Sequence, residues 1–310
     1  MSPFVQGLLD RTPYVGRLRR RLRELGQEVA SLRKAEGAFP AGHYYSPVPS
    51  PIQVEQYLNS SKYGSTSPDE VNINNDAHTS LIEAFSEFYN QRPFPEQKKA
   101  DCRYYFAQTM FVHSDAIVLH CFLRHVRPKH IIEIGSGFSS AVMLDTAEGH
   151  LRPSPAMTFI EPNPERLTQL LKPGDEAKCC LLRERVQRVP LETFNALLPG
   201  DLLFLDSSHV VSAGSDVQYL FFEVLPRLKP GVFVHIHDVL YPFVYPAEWL
   251  LAGRYWNEAY FLRAFLAYNS AWEIYWFSSY AALQLKPLME EKMPLCLNGV
   301  GGSIYLRRVR

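Results

Sequence analysis

The chain of 310 residues predicts an α/β protein: a Rossmann-like, doubly wound, mostly parallel sheet with a helical N-terminal extension. Three observations carry this expectation. From Lys129 onward, short apolar runs alternate with helical stretches, the rhythm of a sheet covered by helices on both faces. The first run, HIIEI from His130, enters a glycine turn that opens a helix. Acids and histidines collect just after several of the runs, and sheets of this kind bind ligands at the carboxyl ends of their strands.

Composition narrows the class. Hydrophobic residues make up 46% and charged residues 21%, enough for a sizeable core and unlike a disordered chain, a collagen-like repeat or a small disulfide scaffold. Lys and Arg number 32 against 32 Asp and Glu, so the basic excess of a non-specific nucleic-acid binder is missing. One basic run, Arg17 to Arg23 (RLRRRLR), reads first as a solvated helix face and second as a phosphate or membrane patch. Cys102, Cys121, Cys179, Cys180 and Cys296 form no CxxC pair, which argues against structural zinc and a disulfide framework. The opening MSPFVQGLLDRTPYVGRLRRR lacks the pattern of a secretory signal. The apolar stretch Ala264 to Leu285 contains Asn269, Ser270, Glu273, Ser278 and Ser279, so it is expected as a buried helix followed by a strand. The expectation is a cytoplasmic protein without a membrane or nucleic-acid partner.

The first 100 residues differ from the rest and are expected as a helical and loop extension (a lid, dimer arm or partner dock), with residues 101–310 as the main domain. Val15 to Ala35 places Leu18, Leu22, Leu25, Val29 and Leu32 near one face of a helix, a candidate contact for a homo-oligomer. Gly37 to Pro51 reads as an extended linker and Ile52 to Ser67 as a polar stretch, with SSKYGSTS as a mobile loop. Asn75 to Tyr89 reads as a helix with Asn75 or Asp76 at its cap. Beyond Lys129 the expected order is strand HIIEI, helix Ser140 to Glu148, strand AMTFIEP, a helix from near Pro164, a short strand near Val186, and a helix at Leu191 to Leu198. Strand DLLFLD, a helix from Asp216 to Leu228, and strands GVFVHIHD, WEIYWFS and GSIYLRR follow. The last two lie close in sequence and suggest an antiparallel edge.

Residues 133–140 read EIGSGFSS. Gly135 and Gly137 permit a sharp turn that exposes backbone to a ligand, and Glu161 ends the next strand, where an acid accepts both hydroxyls of a ribose. NAD and S-adenosylmethionine both carry an adenosine that fits. Ser140 stands where a dinucleotide fingerprint has its third glycine. Glu133 would sit near an ammonium or sulfonium favourably and near a pyrophosphate unfavourably. Both features favour S-adenosylmethionine.

The run EIGSGFSSA, FIEPNP, LLFLDSSH and LKPGVFVHIHD resembles the class I S-adenosylmethionine-dependent methyltransferases. It is most similar to a small-molecule subgroup that includes metal-dependent macrolide-sugar O-methyltransferases, over about Arg103 to Arg310. The resemblance implies that Gly135 and Gly137 are the cofactor glycines and Glu161 the ribose acid, and that Tyr104, Tyr105 and Asp115 lie in an entry segment that in such proteins often covers the methionine end. Glu133, Ser136, Ser140, Gln187 (toward the adenine) and Asp206 are the further candidates to meet the cofactor. The subgroup has an acidic pair or Asp-Asn after the fifth strand; this chain has His237-Asp238.

Asp206 and Asp238 end separate strands and should emerge at one rim, with His209 and His237 beside them. Two roles are open. His209 is a candidate general base, with Asp206 and Asp238 as the other catalytic candidates. Alternatively Asp206, His237 and Asp238 hold a divalent metal; the histidine argues against Mg²⁺ and leaves room for a transition metal or no metal. His235 is expected as a buried core histidine and Asp216 as a helix cap. The aromatic stretch after Asp238, from Tyr241 to Tyr260, offers a pocket wall, with Glu248, Arg254, Asn257 and Glu258 for polar selectivity. The sequence thus points to methyl transfer from S-adenosylmethionine to a small-molecule acceptor. A nicotinamide-dependent oxidoreductase using NAD(P), or a non-catalytic scaffold on the same domain, is the alternative.

Overall fold

The structure is a computed structural model and describes residues 13–35, 37–65 and 67–310. The stretch read as lacking a secretory signal lies, up to residue 12, outside them. Packing divides the chain into two compact units. One holds the described residues up to Tyr63 together with Ala247–Tyr255; the other holds Gly64–Pro246 and Trp256–Arg310.

The larger unit is built on a seven-stranded sheet in the order β3-β2-β1-β4-β5-β7-β6. The strands are β1 His130–Ile134, β2 Ala156–Ile160, β3 Cys179–Leu182, β4 Leu202–Leu205, β5 Phe233–Ile236, β6 Trp272–Phe277 and β7 Ile304–Arg308. β1 to β5 are mutually parallel, and β7 runs antiparallel to both β5 and β6. The last two strands thus form an antiparallel pair at one edge of the sheet, as expected, with β7 entering between β5 and β6. A dinucleotide-binding sheet of the order 3-2-1-4-5-6 has no such insertion.

The central strands are apolar because both faces are covered. Ile131, Leu202, Leu203, Phe204, Val234 and Ile236 are fully buried. Helices Phe138–His150 and His113–Val126 pack on each other, with Ala141, Val142, Met143, Ile117 and Phe122 inside the core. Register then positions the site. Ile134 pairs with Ile160 and Leu205, and Leu205 with Ile236, so four parallel strands end level.

Several elements differ from expectation. Helix Asn75–Tyr89 is capped by Asn74, whose side chain accepts from Ala77 N. It packs against His113–Val126 and β6 and places Leu81, Ile82 and Phe85 in the main core. The sheet-bearing unit therefore takes in residues 64–100, because this helix supplies core side chains. The short strand lies at Cys179–Leu182; Val186–Arg188 is a 3₁₀ turn. Asp216–Tyr219 continues through a π-helical turn, Leu220–Val224, into a 3₁₀ turn at Leu225–Arg227. Pro226 lacks the N–H that an α-helix would require there. Ala264 to Leu285 falls into the end of helix Glu258–Leu266, β6 and helix Ser278–Gln284. Among the described residues no helix is long and apolar enough to cross a membrane.

In the smaller unit, Pro13–Ala35 is one helix. The polar stretch after Pro51 begins with a helix that was not expected, Pro51–Leu58, opened by a capping box. Ser50 Oγ accepts from Gln53 N while Gln53 Oε1 accepts from Ser50 N, a signal present in the sequence as S-x-x-Q. Helix Ala247–Leu251 packs against Pro51–Leu58.

Candidate active site

The level strand ends bring Gly135, Glu161, Asp206 and His237 to one rim. Gly135 fixes the approach of β1 to β4. Its φ is +79°, and a Cβ there would overlap the carbonyl oxygen of Asp206. Ile134 O accepts from Asp206 N at 2.8 Å, so the residue that leaves β4 is held against the end of β1. This glycine is required by the backbone whether or not a ligand is bound. Around the rim lie two adjoining chambers of about 350 and 540 Å³ that share Gly135, Glu161, Asp206, Ser207 and Ser208. Both volumes suit a small molecule.

The turn satisfies its own backbone. Gly135 N donates to Ile160 O, Ser136 N to Glu161 Oε2 at 3.2 Å, and Gly137 N to Ser140 Oγ at 3.0 Å. Three successive N–H groups are thus engaged internally, whereas a pyrophosphate needs such donors free. Glu161 also accepts from Asn163 N at 2.8 Å and lines both chambers. Gln187 lines the larger chamber, its Nε2 donating to Gly214 O.

Two expected cofactor residues stand elsewhere. Glu133 is fully buried and lines neither chamber. Its carboxyl is bonded by Ser139 Oγ at 2.6 Å and by Ser140 Oγ, and burial pushes its pKa up to about 8. Ser140 is likewise buried, committed to Glu133 and to Gly137 N. Both brace the turn from beneath. Side-chain parity explains this: Glu133 points to the helix-covered face of β1, where a carboxylate must find hydroxyl partners. Tyr104 and Asp115 are also displaced from the role implied for them. Tyr104 is buried and donates to Phe111 O, and Asp115 is buried against Ser303 Oγ and Gly302 N. Tyr105 meets Phe138 edge-on. Of that segment, Met110 and Phe111 line the smaller chamber.

On the wall of this chamber Asp206, His209 and Asp238 converge, with one potential ligand atom from each lying within 4.8 Å of the others. His209 Nε2 is 3.5 Å from Asp206 Oδ1 and 3.4 Å from Asp238 Oδ2, too long for strong hydrogen bonds. His209 Nδ1 is 2.9 Å from Glu258 Oε2. Burial opposes a charge on His209, but Asp206, Glu258 and Asp238 outweigh it and raise its pKa to about 10. Burial likewise opposes charge on Asp206, yet His237 and His209 hold it below the ordinary value. Asp206 and Asp238 keep side-chain exposures of 29% and 22%, against 7% for His209.

The expected metal set named His237, and the structure brings His209 to the cluster in its place. His237 Nε2 lies 3.7 Å from Asp238 Oδ1. It lies behind the carboxylates beside Phe111 and lines the same chamber. The reason is backbone conformation. His209 and Asp238 both adopt left-handed φ, +59° and +55°, which turns His209 back over the rim; non-glycine residues held there are uncommon and collect at functional sites. His235 is buried, stacked on Phe204 and bonded to Ser303 Oγ, as expected of a core histidine. The helix cap expected of Asp216 is Ser215, whose Oγ accepts from Gln218 N; Asp216 is the first helical residue and accepts from Ser208 N and Oγ.

Sequence reasoning left Glu258 without orientation. It is buried at the start of helix Glu258–Leu266, 49 residues from its histidine partner. His209 O accepts from the backbone N–H of Asn257 and Glu258, and Val211 N donates to Asn257 Oδ1, so one helix start latches the whole His209 loop. Trp256 packs 4.5 Å from the His209 ring and lines the chamber; Phe243 and Tyr245 are buried core. Arg166 lines the chamber and was not singled out. Gly302 allows the entry to β7 to pass behind the site, since a Cβ there would lie 2.8 Å from Asp238 Cα.

Comparison with known proteins bears on this rim. A methyltransferase domain family model matches residues 132–239. An uncharacterized protein of Archaeoglobus fulgidus is 29% identical over 138 residues, covering 43% of this chain and 62% of that protein. Among solved structures, the O-methyltransferase TomG from Streptomyces achromogenes in complex with SAM is 17% identical, with 83% of this chain and 96% of that chain covered and a TM-score of 0.38. The SAH-bound Podospora anserina methyltransferase PaMTH1 is 16% identical, with 74% and 88% covered and a TM-score of 0.42. The family match runs from β1 to the residue after Asp238, the stretch that supplies the turn, Glu161 and the clustered acids. Residues 132–239 of this chain match a methyltransferase domain, carried on a mostly parallel seven-stranded sheet.

Proposed function

We propose that the protein transfers the methyl group of S-adenosylmethionine to an oxygen of a small-molecule acceptor, with a divalent cation held by Asp206, His209 and Asp238. One observation carries this reading: potential ligand atoms of those three residues lie within 4.8 Å of one another, on the wall of the chamber that also holds Gly135, Gly137 and Glu161. The donors are two carboxylates and an imidazole, so the set fits Mn²⁺, Fe²⁺ or Zn²⁺ better than Mg²⁺. A cation there would lower the pKa of an acceptor hydroxyl and draw the oxygen into line.

The chain's own residues supply the rest. Glu161 is assigned the ribose hydroxyls, and Gln187, in the larger chamber, the adenine. Ser207 Oγ, buried without a partner among the described residues, marks an unmet polar position where the chambers join. Glu258 fixes the ring of His209 so that Nε2 faces the two aspartates. Phe111 and Trp256 shield the chamber from water. The sulfonium is already an activated donor, so alignment is the main demand on the protein. The inserted β7 and the engaged N–H groups of the turn favour this reading over NAD(P). Balanced charge fits a cytoplasmic enzyme with a small-molecule acceptor and neither nucleic acid nor membrane as partner.

A second reading rests on the 2.9 Å His209–Glu258 pair. Without a cation it is a base and its orienting carboxylate, and His209 would take the acceptor proton. Calorimetry with S-adenosylmethionine and with NAD(P) tests the cofactor. Glu161→Ala should weaken S-adenosylmethionine roughly 10- to 100-fold, and uptake of NAD(P) alone overturns the proposal. Turnover that survives exhaustive chelation selects the second reading.

A further inference from the structure

The helix Pro13–Ala35 carries a pattern that methyl transfer does not use. Val15, Leu18, Leu22, Leu25, Val29 and Leu32 recur at intervals of three, four, three, four and three. This is an unbroken heptad series, with Val15, Leu22 and Val29 at the first core position and Leu18, Leu25 and Leu32 at the second. Such a stripe is narrower than the apolar face of a helix lying on a protein core or on a lipid surface, and it is the pattern of a coiled-coil contact. Leu18, Leu22, Leu25 and Val29 are 53%, 62%, 40% and 47% exposed. Four large aliphatic side chains in one line remain in water, although their burial would be favourable.

Charge decides what covers them. Arg17, Arg19, Arg20, Arg21 and Arg23 crowd one half of the helix, and Glu24 and Glu28 follow in the other. A parallel partner would set five arginines beside five. An antiparallel partner, with Leu22 facing the partner's Leu25 and Leu18 facing the partner's Val29, sets the basic run against the partner's residues 24–30, which contain both glutamates. In that register Arg21 flanks the partner's Glu28, twice by symmetry, and Arg19 flanks the partner's Gly26, so no like charges meet beside the core. Within its own helix Arg21 reaches only Glu24, at 3.4 Å and exposed, a contact worth little.

We propose that this helix joins two copies of the chain as an antiparallel two-helix coil. Leu22 and Leu25 form its central layers, and the Arg21–Glu28 pairs set its direction. The assignment rests on neither the cofactor nor the cation.

Sedimentation of the full chain tests it. The wild type should approach twice the chain mass of 35.5 kDa as concentration rises. Leu22→Glu/Leu25→Glu should stay at one chain mass and keep the melting temperature of the sheet-bearing unit, because the altered side chains are exposed. Arg21→Glu and Glu28→Arg should each weaken association roughly tenfold, and the double exchange should restore it. A wild type that remains at one chain mass, a dimer unaffected by the leucine changes, or single exchanges without effect would each overturn the proposal. So would a monomer that sediments with phosphatidylserine vesicles through the same leucines, which would assign the stripe to an anionic membrane.

Discussion

Two clusters in the sheet-bearing unit share a formula and differ in construction. In each, three carboxylates converge on one basic side chain. Around Arg103 they are Asp145, Glu148 and Asp175, at 2.5–2.6 Å. The second oxygen of Asp145 accepts from the backbone N–H groups of Arg103 and Tyr104, and that of Asp175 also accepts from Lys172 N. Both buried aspartates are fully bonded. Around His209 they are Asp206, Asp238 and Glu258, but only the Glu258 contact has hydrogen-bond length. Glu258 Oε1 and His237 Nδ1 are buried without partners among the described residues, and two of the residues sit at left-handed φ. The first cluster has used its bonding capacity to fix a loop. The second retains unmet bonding capacity next to a chamber that His209, Asp206, Asp238 and His237 line, as expected of a site that awaits a ligand.

The largest expected effect tests the closed cluster. Arg103→Leu strands two buried aspartates and should cost about 3–5 kcal/mol of stability, read from urea unfolding. Stability within error of wild type would remove the contrast. The open cluster should respond in the other property. Asp238→Asn relieves crowding among acids and tolerates the left-handed backbone, so its melting temperature should hold or rise while methyl transfer falls by about a hundredfold or more. A stability loss like that of Arg103→Leu would make the second cluster structural as well.

Glu258→Gln sharpens the comparison at its one tight contact. The variant should bind Mn²⁺ about 10- to 100-fold more weakly, with S-adenosylmethionine affinity unchanged by calorimetry. Equal loss of both ligands would mean that Glu258 merely supports the fold. The smallest effect concerns Glu133. Its pKa is raised in the folded chain, from an ordinary 4.5 to about 8. The folded state therefore holds this proton more tightly than the unfolded state, and the contribution present below about pH 4.5 is lost as pH rises toward about 8. Glu133→Gln does not titrate. Its melting temperature should gain on the wild type progressively across that window, and a pH-independent gap would refute the assignment.

Much of this architecture was legible beforehand, for reasons that stay within one segment. LLFL is a continuous apolar run, and HIIEI is apolar but for His130 and Glu133, because these strands are covered on both faces. Local signals could also mislead. The helix at Pro51–Leu58 announced itself through Ser50 and Gln53, but the surrounding prolines and serines read as loop. Val186 has a strand-like side chain, yet it falls in a 3₁₀ turn, and the strand forms at Cys179–Leu182, where pairing with β2 is available.

The sequence by itself determined the strand ends, and with them that Gly135, Glu161, Asp206 and Asp238 would share a rim, since parallel strands of similar length must finish together. Tertiary structure alone decided that His209 rather than His237 joins the two aspartates, and that Glu258 holds it from 49 residues away. Periodicity fixes which face a residue occupies within its own element. It carries no information about a left-handed loop residue, whose direction is set by the distant helix start against which it closes.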